Sequence, residues 1–197
     1  VSAVRTAACP ESRGRGVLVV LNDEINAARD VTKSNTYRPE TFRSGELGFL
    51  GYVDQDRVAF YRSPDKRHTV SSEFELEALG EFPAVEIVYS SVEANTPLLI
   101  ETLQKAGVRG IVFAATGAGS LSEPGKEAGA QSVARSAGTV FVRSSRVGNG
   151  RVIGRSEFDA LGIIPADNLS PQKARKPKIR PKAMKIGGEI TTAATTA

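Results

Sequence analysis

Over residues 84–142, short apolar runs rich in β-branched side chains alternate with segments of helical periodicity. Runs of this length and composition are typical of buried strands, and the segments between them are long enough for helices. A helix that joins two parallel strands makes a right-handed crossover, which limits the topology to a small parallel α/β domain. The predicted order is strand, helix, strand, helix, strand, at residues 84–89, 96–106, 110–115, about 125–136 and 139–142.

The first of these helices has a clear inward face in the sequence. The segment has leucines, an alanine and a threonine at helical spacing. Gly107 follows it, at the position where helices commonly end with a residue in the left-handed conformation. The predicted buried stripe consists of Leu98, Leu99, Leu103 and Ala106, with Thr102 beside them.

The first sixty residues follow a different pattern. Pro10 ends a short helix-tolerant segment. The continuous apolar run at residues 16–21, bounded by Gly16 and Asn22, predicts a strand buried on both faces and therefore a parallel sheet. Two extended pieces, residues 49–53 and 57–61, flank Asp54-Gln55-Asp56 and predict a hairpin. This part has the pattern of the end of a larger parallel α/β domain.

The composition of the sequence predicts where the remaining domain boundaries lie. Residues 62–83 are charged, rich in serine and bounded by prolines, with a weakly helical patch at 74–79, and are predicted to be an interdomain linker. Ser170 and Pro171 predict a helix start, whereas Pro177 and Pro181 prevent its continuation. The predicted division is 1–61, the linker 62–83, a small domain at 84–175 and a disordered basic tail at 176–197.

The charge distribution argues against nucleic acid as a partner. The chain has 26 basic and 22 acidic residues, and seven of the basic ones lie between Lys173 and Lys185. Residues 1–172 therefore carry 19 positive and 21 negative charges. The tail has no aromatic residues to stack on bases. The longest apolar runs are also far below the roughly 20 residues of a membrane helix, so no membrane span is predicted.

Two loops at the carboxyl ends of predicted strands are candidate ligand sites, because parallel α/β sheets bind ligands at that edge. Thr116-Gly-Ala-Gly-Ser120 offers two hydroxyls and close backbone approach, or is a tight turn without a ligand. Arg143-Ser-Ser-Arg-Val-Gly-Asn-Gly150 could hold an anion, although a turn with solvated arginines fits better. The spacing of the first loop does not fit a dinucleotide fingerprint.

Few single residues suggest catalysis on their own. His68, the only histidine, is expected to be a solvated loop residue, and Cys9, the only cysteine, a small apolar one that excludes an internal disulfide and a multi-cysteine metal site. Lys33 follows a buried strand among threonine and serine hydroxyls. A lysine with a lowered pKa can accept a hydroxyl proton, whereas composition alone favours a solvated side chain.

Several motifs occur in the order found in one enzyme family. Together they closely resemble the bacterial-type L-asparaginase and glutaminase-asparaginase family, and they extend from Val1 to Arg175. The motifs are Gly16-Val-Leu-Val-Val-Leu-Asn22, Arg29-Asp-Val-Thr-Lys-Ser-Asn35, Leu50-Gly-Tyr52, Arg62-Ser-Pro64, Lys66-Arg-His-Thr69, Thr116-Gly-Ala-Gly-Ser120, Val142-Arg-Ser-Ser-Arg146 and Leu169-Ser-Pro-Gln-Lys-Ala-Arg175.

The resemblance implies an amidohydrolase that attacks the side-chain amide of L-asparagine, or of L-glutamine, with a threonine nucleophile and without metal or cofactor. It places the catalytic lysine on Lys33, and the residues that hold the substrate's α-amino group on Ser120 and Glu157. It also implies a small flavodoxin-like second domain, sites completed across a dimer, a homotetramer built as a dimer of dimers, and a periplasmic or cytoplasmic location.

Two departures accompany the resemblance. The family's Thr-Gly-Gly-Thr and His-Gly-Thr-Asp-Thr segments, which carry the nucleophile and the Thr-Asp pair, do not occur in the 197 residues. The chain is therefore expected to be a fragment that is inactive alone. The family's last apolar helix is replaced by the basic segment after Arg175, as a truncation or frameshift would do. The alternative function is a non-catalytic α/β module that binds an amino acid or an anion.

Overall fold

A computed structural model describes residues 1–72, 81–121 and 135–175. The chain divides into two compact units, one built from the first of these ranges and one from the other two. The predicted helical patch at 74–79, the predicted helix at about 125–136 and the predicted disordered tail at 176–197 lie outside the described residues.

The first unit is built on an antiparallel sheet. Its helix α1 is Ser2–Ala8, and its strands are β1 (Leu18–Leu21), β2 (Glu24–Ala27), β3 (Thr32–Lys33), β4 (Phe42–Arg43), β5 (Gly51–Val53) and β6 (Val58–Phe60). Four strands form one sheet in the order β1-β2-β5-β6, and β3 pairs with β4 separately. Ile25, Leu50 and Val53 are buried in this unit.

The expectation that residues 16–21 form a strand buried on both faces of a parallel sheet is wrong. β1 is half-buried at three positions and exposed at Leu21, and it pairs antiparallel with β2. The cause is the turn: Asn22 and Asp23 both adopt positive φ, at 49° and 58°, the conformation of a two-residue hairpin whose twist matches the strands. The second predicted hairpin is confirmed, with Val53 opposite Val58.

The second unit is a parallel sheet with helices. Its elements are β7 (Val85–Tyr89), α2 (Thr96–Lys105), β8 (Gly110–Ala115), β9 (Val140–Ser145), α3 (Ser156–Asp159), β10 (Ile163–Pro165) and α4 (Pro171–Ala174). The strands lie in the order β10-β9-β8-β7, and every pair is parallel. The predicted α/β class is confirmed, and β10 is a fourth strand that the sequence prediction did not include.

Both faces of this sheet are apolar, as its parallel pairing requires. Ile111 and Phe113 of β8 lie in one buried cluster with Ile100 and Phe141, whereas Val112 lies in a second cluster with Val142. The alternation follows from the two-residue period of a strand. The helices therefore rest on a rigid sheet whose carboxyl edge carries the two candidate loops.

The buried face of α2 differs from the predicted stripe. Leu98 and Leu99 are 56% and 44% exposed, whereas Thr96 and Ile100 are buried and Leu103 packs partly against the core. The helix limits themselves are as predicted: Asn95 caps the start by accepting a hydrogen bond from the Leu98 amide, and Gly107 follows the end with φ 81°. The buried face is therefore shifted by about one residue position around the helix relative to the predicted face.

Candidate functional site

Lys33 lies on an exposed two-stranded hairpin of the first unit. It is in β3, opposite Phe42 of β4, and its side chain is exposed. The intervening turn is ordered by side chains: the Asn35 carboxamide oxygen accepts hydrogen bonds from the amides of Tyr37 and Arg38, at 2.8 and 3.1 Å. The backbone amide of Asn35 donates a hydrogen bond to the Thr41 hydroxyl at 2.9 Å. The hairpin thus presents the Lys33 amine to solvent from a fixed backbone.

A buried polar pair joins β2 to the segment that follows β4. The Ser44 hydroxyl donates to the Asn26 carboxamide oxygen at 2.6 Å, and both residues are buried. The Asn26 Nδ2 atom is buried without a partner among the described residues. This pair is the polar anchor of the Lys33 hairpin on the larger sheet.

Ser44→Ala is expected to destabilise the first unit by about 1–3 kcal/mol, because it leaves the Asn26 carboxamide buried with neither oxygen nor nitrogen paired. Adding Asn26→Leu should recover most of the loss, since no buried polar group then remains. Urea unfolding measures both changes, with exposed Ser63→Ala as the control. A Ser44→Ala loss as small as that of the control would contradict the pairing.

The loop after β8 closes on itself at the carboxyl edge of the parallel sheet. The amides of Gly119 and Ser120 both donate to the Thr116 carbonyl, at 2.9 and 2.8 Å, and the Thr116 amide donates to the Ser120 carbonyl at 3.1 Å. Ser120 is exposed, and its hydroxyl makes no hydrogen bond to the residues that the structure describes. The Ser145 hydroxyl, at the end of β9, donates to the Gly117 carbonyl. The loop therefore places the Ser120 hydroxyl on a backbone held by hydrogen bonds at both ends.

Glu157 lies in the short helix α3 with its side chain 65% exposed. Among the residues that the structure describes, it pairs with Arg155, at 3.8 Å between Nη1 and Oε1. An exposed pair at this distance contributes little to stability. The carboxylate is accordingly available to a ligand cation.

The prediction that the arginines of the 143–150 loop are solvated is wrong for Arg143 and right for Arg146. Arg143 is 1% exposed and belongs to β9, which runs three residues beyond its predicted end. Its Nη1 donates to the Gly119 carbonyl at 2.8 Å and to the Ala118 carbonyl at 3.3 Å. Its Nη2 donates to the Ile153 carbonyl at 2.7 Å.

Arg143 also connects the neighbourhoods of both predicted substrate residues. Its Cζ lies 4.2 Å from the ring centroid of Phe158, which follows Glu157, and its Nη1 contacts Gly119, which precedes Ser120. Burial lowers the pKa of Arg143, nearby Arg155 adds to that effect, and the carboxylates of Glu157 and Asp159 oppose it. No pattern in the sequence predicts that this arginine is buried.

The other two candidates have local structural roles. His68 is half-buried, its Nδ1 lies 3.2 Å from the Thr69 hydroxyl, and it precedes a single helical turn at residues 69–71. The Cys9 thiol donates to Glu11 at 2.9 Å, and that hydrogen bond raises the pKa of the thiol, which disfavours the reactive thiolate. Neither arrangement suggests a catalytic group.

Within the described ranges, no three His, Cys, Asp or Glu side chains come close enough to hold a metal ion. The same residues contain no helix with the length and apolar character needed to span a membrane.

Two family models match the chain. The model described as "Asparaginase, N-terminal" matches residues 1–66, and the one described as "Glutaminase/Asparaginase C-terminal domain" matches residues 84–176. The chain belongs to the asparaginase family. The resemblance inferred from the sequence motifs is thereby confirmed.

Similar proteins agree with the family matches. The chain is 42% identical over 174 residues to "L-asparaginase 2" of Bacillus subtilis, covering 88% of this chain and 45% of that protein. It is 39% identical over 177 residues to "Probable L-asparaginase periplasmic" of Haemophilus influenzae, covering 88% and 50%. A solved structure, the "Probable Cytoplasmic L-asparaginase from Campylobacter jejuni", superposes with a TM-score of 0.85 at 32% identity, over 93% of this chain and 58% of that one.

The chain spans about half the length of the curated relatives it matches. The relatives' names include both a periplasmic and a cytoplasmic asparaginase, consistent with the two predicted locations. The alternative of a non-catalytic binding module is not favoured by membership of the asparaginase family.

Proposed function

We propose that this chain forms part of an asparaginase that hydrolyses L-asparagine, or L-glutamine, to the acid and ammonia. In this proposal Glu157 and Ser120 hold the α-amino group of the amino acid, and Lys33 accepts a proton from the attacking hydroxyl or water. The main support for this proposal is that the Arg143 guanidinium donates hydrogen bonds to two segments. One is the loop that contains Ser120, and the other is the segment that leads to Glu157. This contact supports one shared binding edge for the two side chains.

The chemistry of the two groups suits a free amino acid. An exposed carboxylate attracts an ammonium ion, and a charge-assisted hydrogen bond to it is stronger than a neutral one. The exposed Ser120 hydroxyl can accept a second hydrogen bond from the same ammonium or donate to a carboxylate. Lys33 would be the group that accepts the proton from the attacking hydroxyl or water.

Further proposals concern organisation. Residues 1–61 would complete a large domain, residues 62–83 would link it to a small domain at 84–175, and residues 176–197 would form a basic tail. We propose that the active assembly is a homotetramer in which sites are completed between subunits. The threonine segments named above are not among the 197 residues, so catalysis by this chain alone is not expected.

Binding and turnover test separate parts of the proposal. In an NMR titration, L-aspartate should shift the amide signals of Ser120 and of residues near Glu157. Glu157→Gln should weaken binding by about tenfold or more, because it removes a charge-assisted hydrogen bond. Glu101→Gln, which changes an exposed glutamate of α2, should leave binding unchanged. Equal affinities in the two variants would refute the assignment of Glu157.

Ammonia release tests Lys33. The 197-residue chain should release ammonia from L-asparagine at the blank rate, and a rate above the blank that disappears in Lys33→Ala would refute the proposed need for the threonine segments. A chimera that places the threonine segments of the Bacillus subtilis relative before Val1 should be active. Lys33→Ala should then lower its rate by about 100-fold or more, as expected for loss of a general base. An active chimera that tolerates the substitution would refute the role of Lys33.

A further inference from the structure

Arg143 is the largest of the fully buried side chains that the structure describes. It enters from β9, in the middle of the parallel sheet, and ends between the loop after β8 and the segment before α3. Its donors are used on both sides: Nη1 bonds to Ala118 and Gly119, and Nη2 bonds to Ile153. One planar group therefore spans two segments that are separated by more than thirty residues in sequence.

The positive charge of this group has no direct ion pair with a carboxylate in residues 1–72, 81–121 or 135–175. Among the described residues, no carboxylate lies within ion-pair distance of the guanidinium, and its Nε is buried without a partner. Burying a charge without a counterion is costly, and an apolar side chain of similar volume is often at least as stabilising. Stability alone does not account for an arginine here, whereas a rigid fork that fixes the spacing of carbonyl groups does.

The loop that meets the guanidinium is shaped to receive it. Gly119 has φ 89°, and a Cβ added there would lie 2.8 Å from Arg143 Nη1 and 2.7 Å from Val152 Cγ1. Only glycine allows the backbone to approach this closely in that conformation. On the other side, the Phe158 ring stacks on the same guanidinium. Movement of either segment would break contacts to Arg143.

We infer that Arg143 is a positioning residue that fixes Ser120 and Glu157 relative to each other and so makes the site selective for ligands that carry an α-ammonium group. The inference rests on the proposed function for the identity of the ligand. Arg143 does not touch the ligand; it acts through the backbone of Gly119 and through Phe158. Loss of the guanidinium should separate the two side chains and weaken the binding of the ammonium group in particular.

The test compares L-aspartate with succinate, which differs only in lacking the α-ammonium group. In the 197-residue chain, Arg143→Met should weaken L-aspartate binding by about tenfold or more and change succinate binding by less than about twofold. Arg143→Lys keeps the charge but cannot bridge both segments, so its loss should be intermediate. Arg109→Met is the control, because exposed Arg109 also donates to a backbone carbonyl, that of Ala137, but at the opposite end of β8.

Hydrogen exchange gives a second readout that needs no ligand. Amides at residues 117–120 and 154–158 should exchange faster in Arg143→Met. Their exchange rates should be unchanged in Arg109→Met. If Arg143→Met does not fold, Arg143→Lys and Gly119→Ala test the role of Arg143 instead. In Gly119→Ala the arginine is intact, but the added methyl group displaces the loop from it. Gly119→Ala should then also lose selectivity for L-aspartate over succinate.

The outcomes separate this inference from the proposed function. Equal weakening of L-aspartate and succinate, or unchanged exchange in both segments, would overturn the role of Arg143 while leaving the proposed function standing. Failure of the unaltered chain to bind L-aspartate would refute the proposed site. Hydrogen exchange would then still decide whether Arg143 holds the two segments together.

Discussion

Gly51→Ala is expected to unfold the first unit or to destabilise it by about 3 kcal/mol or more. Gly51 is buried in β5, which is paired with β2 on one side and β6 on the other. A Cβ at this position would overlap the carbonyl oxygen of Ala59 and lie 2.9 Å from the Phe60 Cα. Both neighbours are backbone atoms of a paired strand, so no side-chain rotation can relieve the overlap.

Urea unfolding followed by NMR signals of the first unit measures this effect. Gly148→Ala, which lies in the second unit and is followed by the signals of that unit, is the control, because a Cβ there meets nothing within 4 Å and the residue has no positive φ. The control should change stability by no more than about 0.5 kcal/mol. Similar stabilities for the two variants would show that β5 and β6 can separate without loss, contrary to the described pairing.

Phe113→Ala is expected to destabilise the second unit by about 3–5 kcal/mol, which is a large part of the stability of a typical domain. Phe113 lies in β8, one of the two central strands, and is completely buried. Its ring stacks on Phe141 of β9, with centroids 5.8 Å apart and planes inclined by 10°. Truncation leaves a cavity against a sheet that is paired on both sides and cannot collapse.

Thermal unfolding compares Phe113→Ala with Tyr89→Ala, which removes an aromatic side chain that is 56% exposed at the end of β7. The melting temperature should fall far more for Phe113→Ala. The double variant Phe113→Ala with Phe141→Ala should lose less than the sum of the single losses, since both remove the same contact. Additive losses would contradict the stacked arrangement.

In the second unit β7, α2, β8 and the start of β9 could be predicted because their signals are local, whereas α3 and β10 were not predicted. An apolar run defines β8, and Asn95 and Gly107 mark the limits of α2. The strand pairing of the first unit is harder to predict, because Asn22-Asp23 can end a strand in a parallel sheet or in an antiparallel one. Only the positive φ angles of both residues, which sequence alone does not fix, turn the chain back as an antiparallel hairpin.

The candidate site could be predicted only in part. The resemblance selected Lys33, Ser120 and Glu157, and the loop after β8 was expected at the sheet's carboxyl edge. Arg143 was missed because its partners are backbone carbonyls of residues 118, 119 and 153, which have no side-chain signature. A charged residue after an apolar run usually ends a strand, whereas here the strand continues with Arg143 and Ser144 both buried.

The two kinds of sheet imply different folding times. In the first unit β1 and β2 join across two residues, and Val53 pairs with Val58 five positions along the chain. In the second unit Gly110 pairs with Val140, so thirty positions must close into a loop before the first contact between β8 and β9 forms. Closure entropy delays such contacts, and folding slows as the mean sequence separation grows. The hairpins should therefore form early, and the edge that carries Ser120 and Arg143 should be among the last parts of the chain to acquire its native geometry.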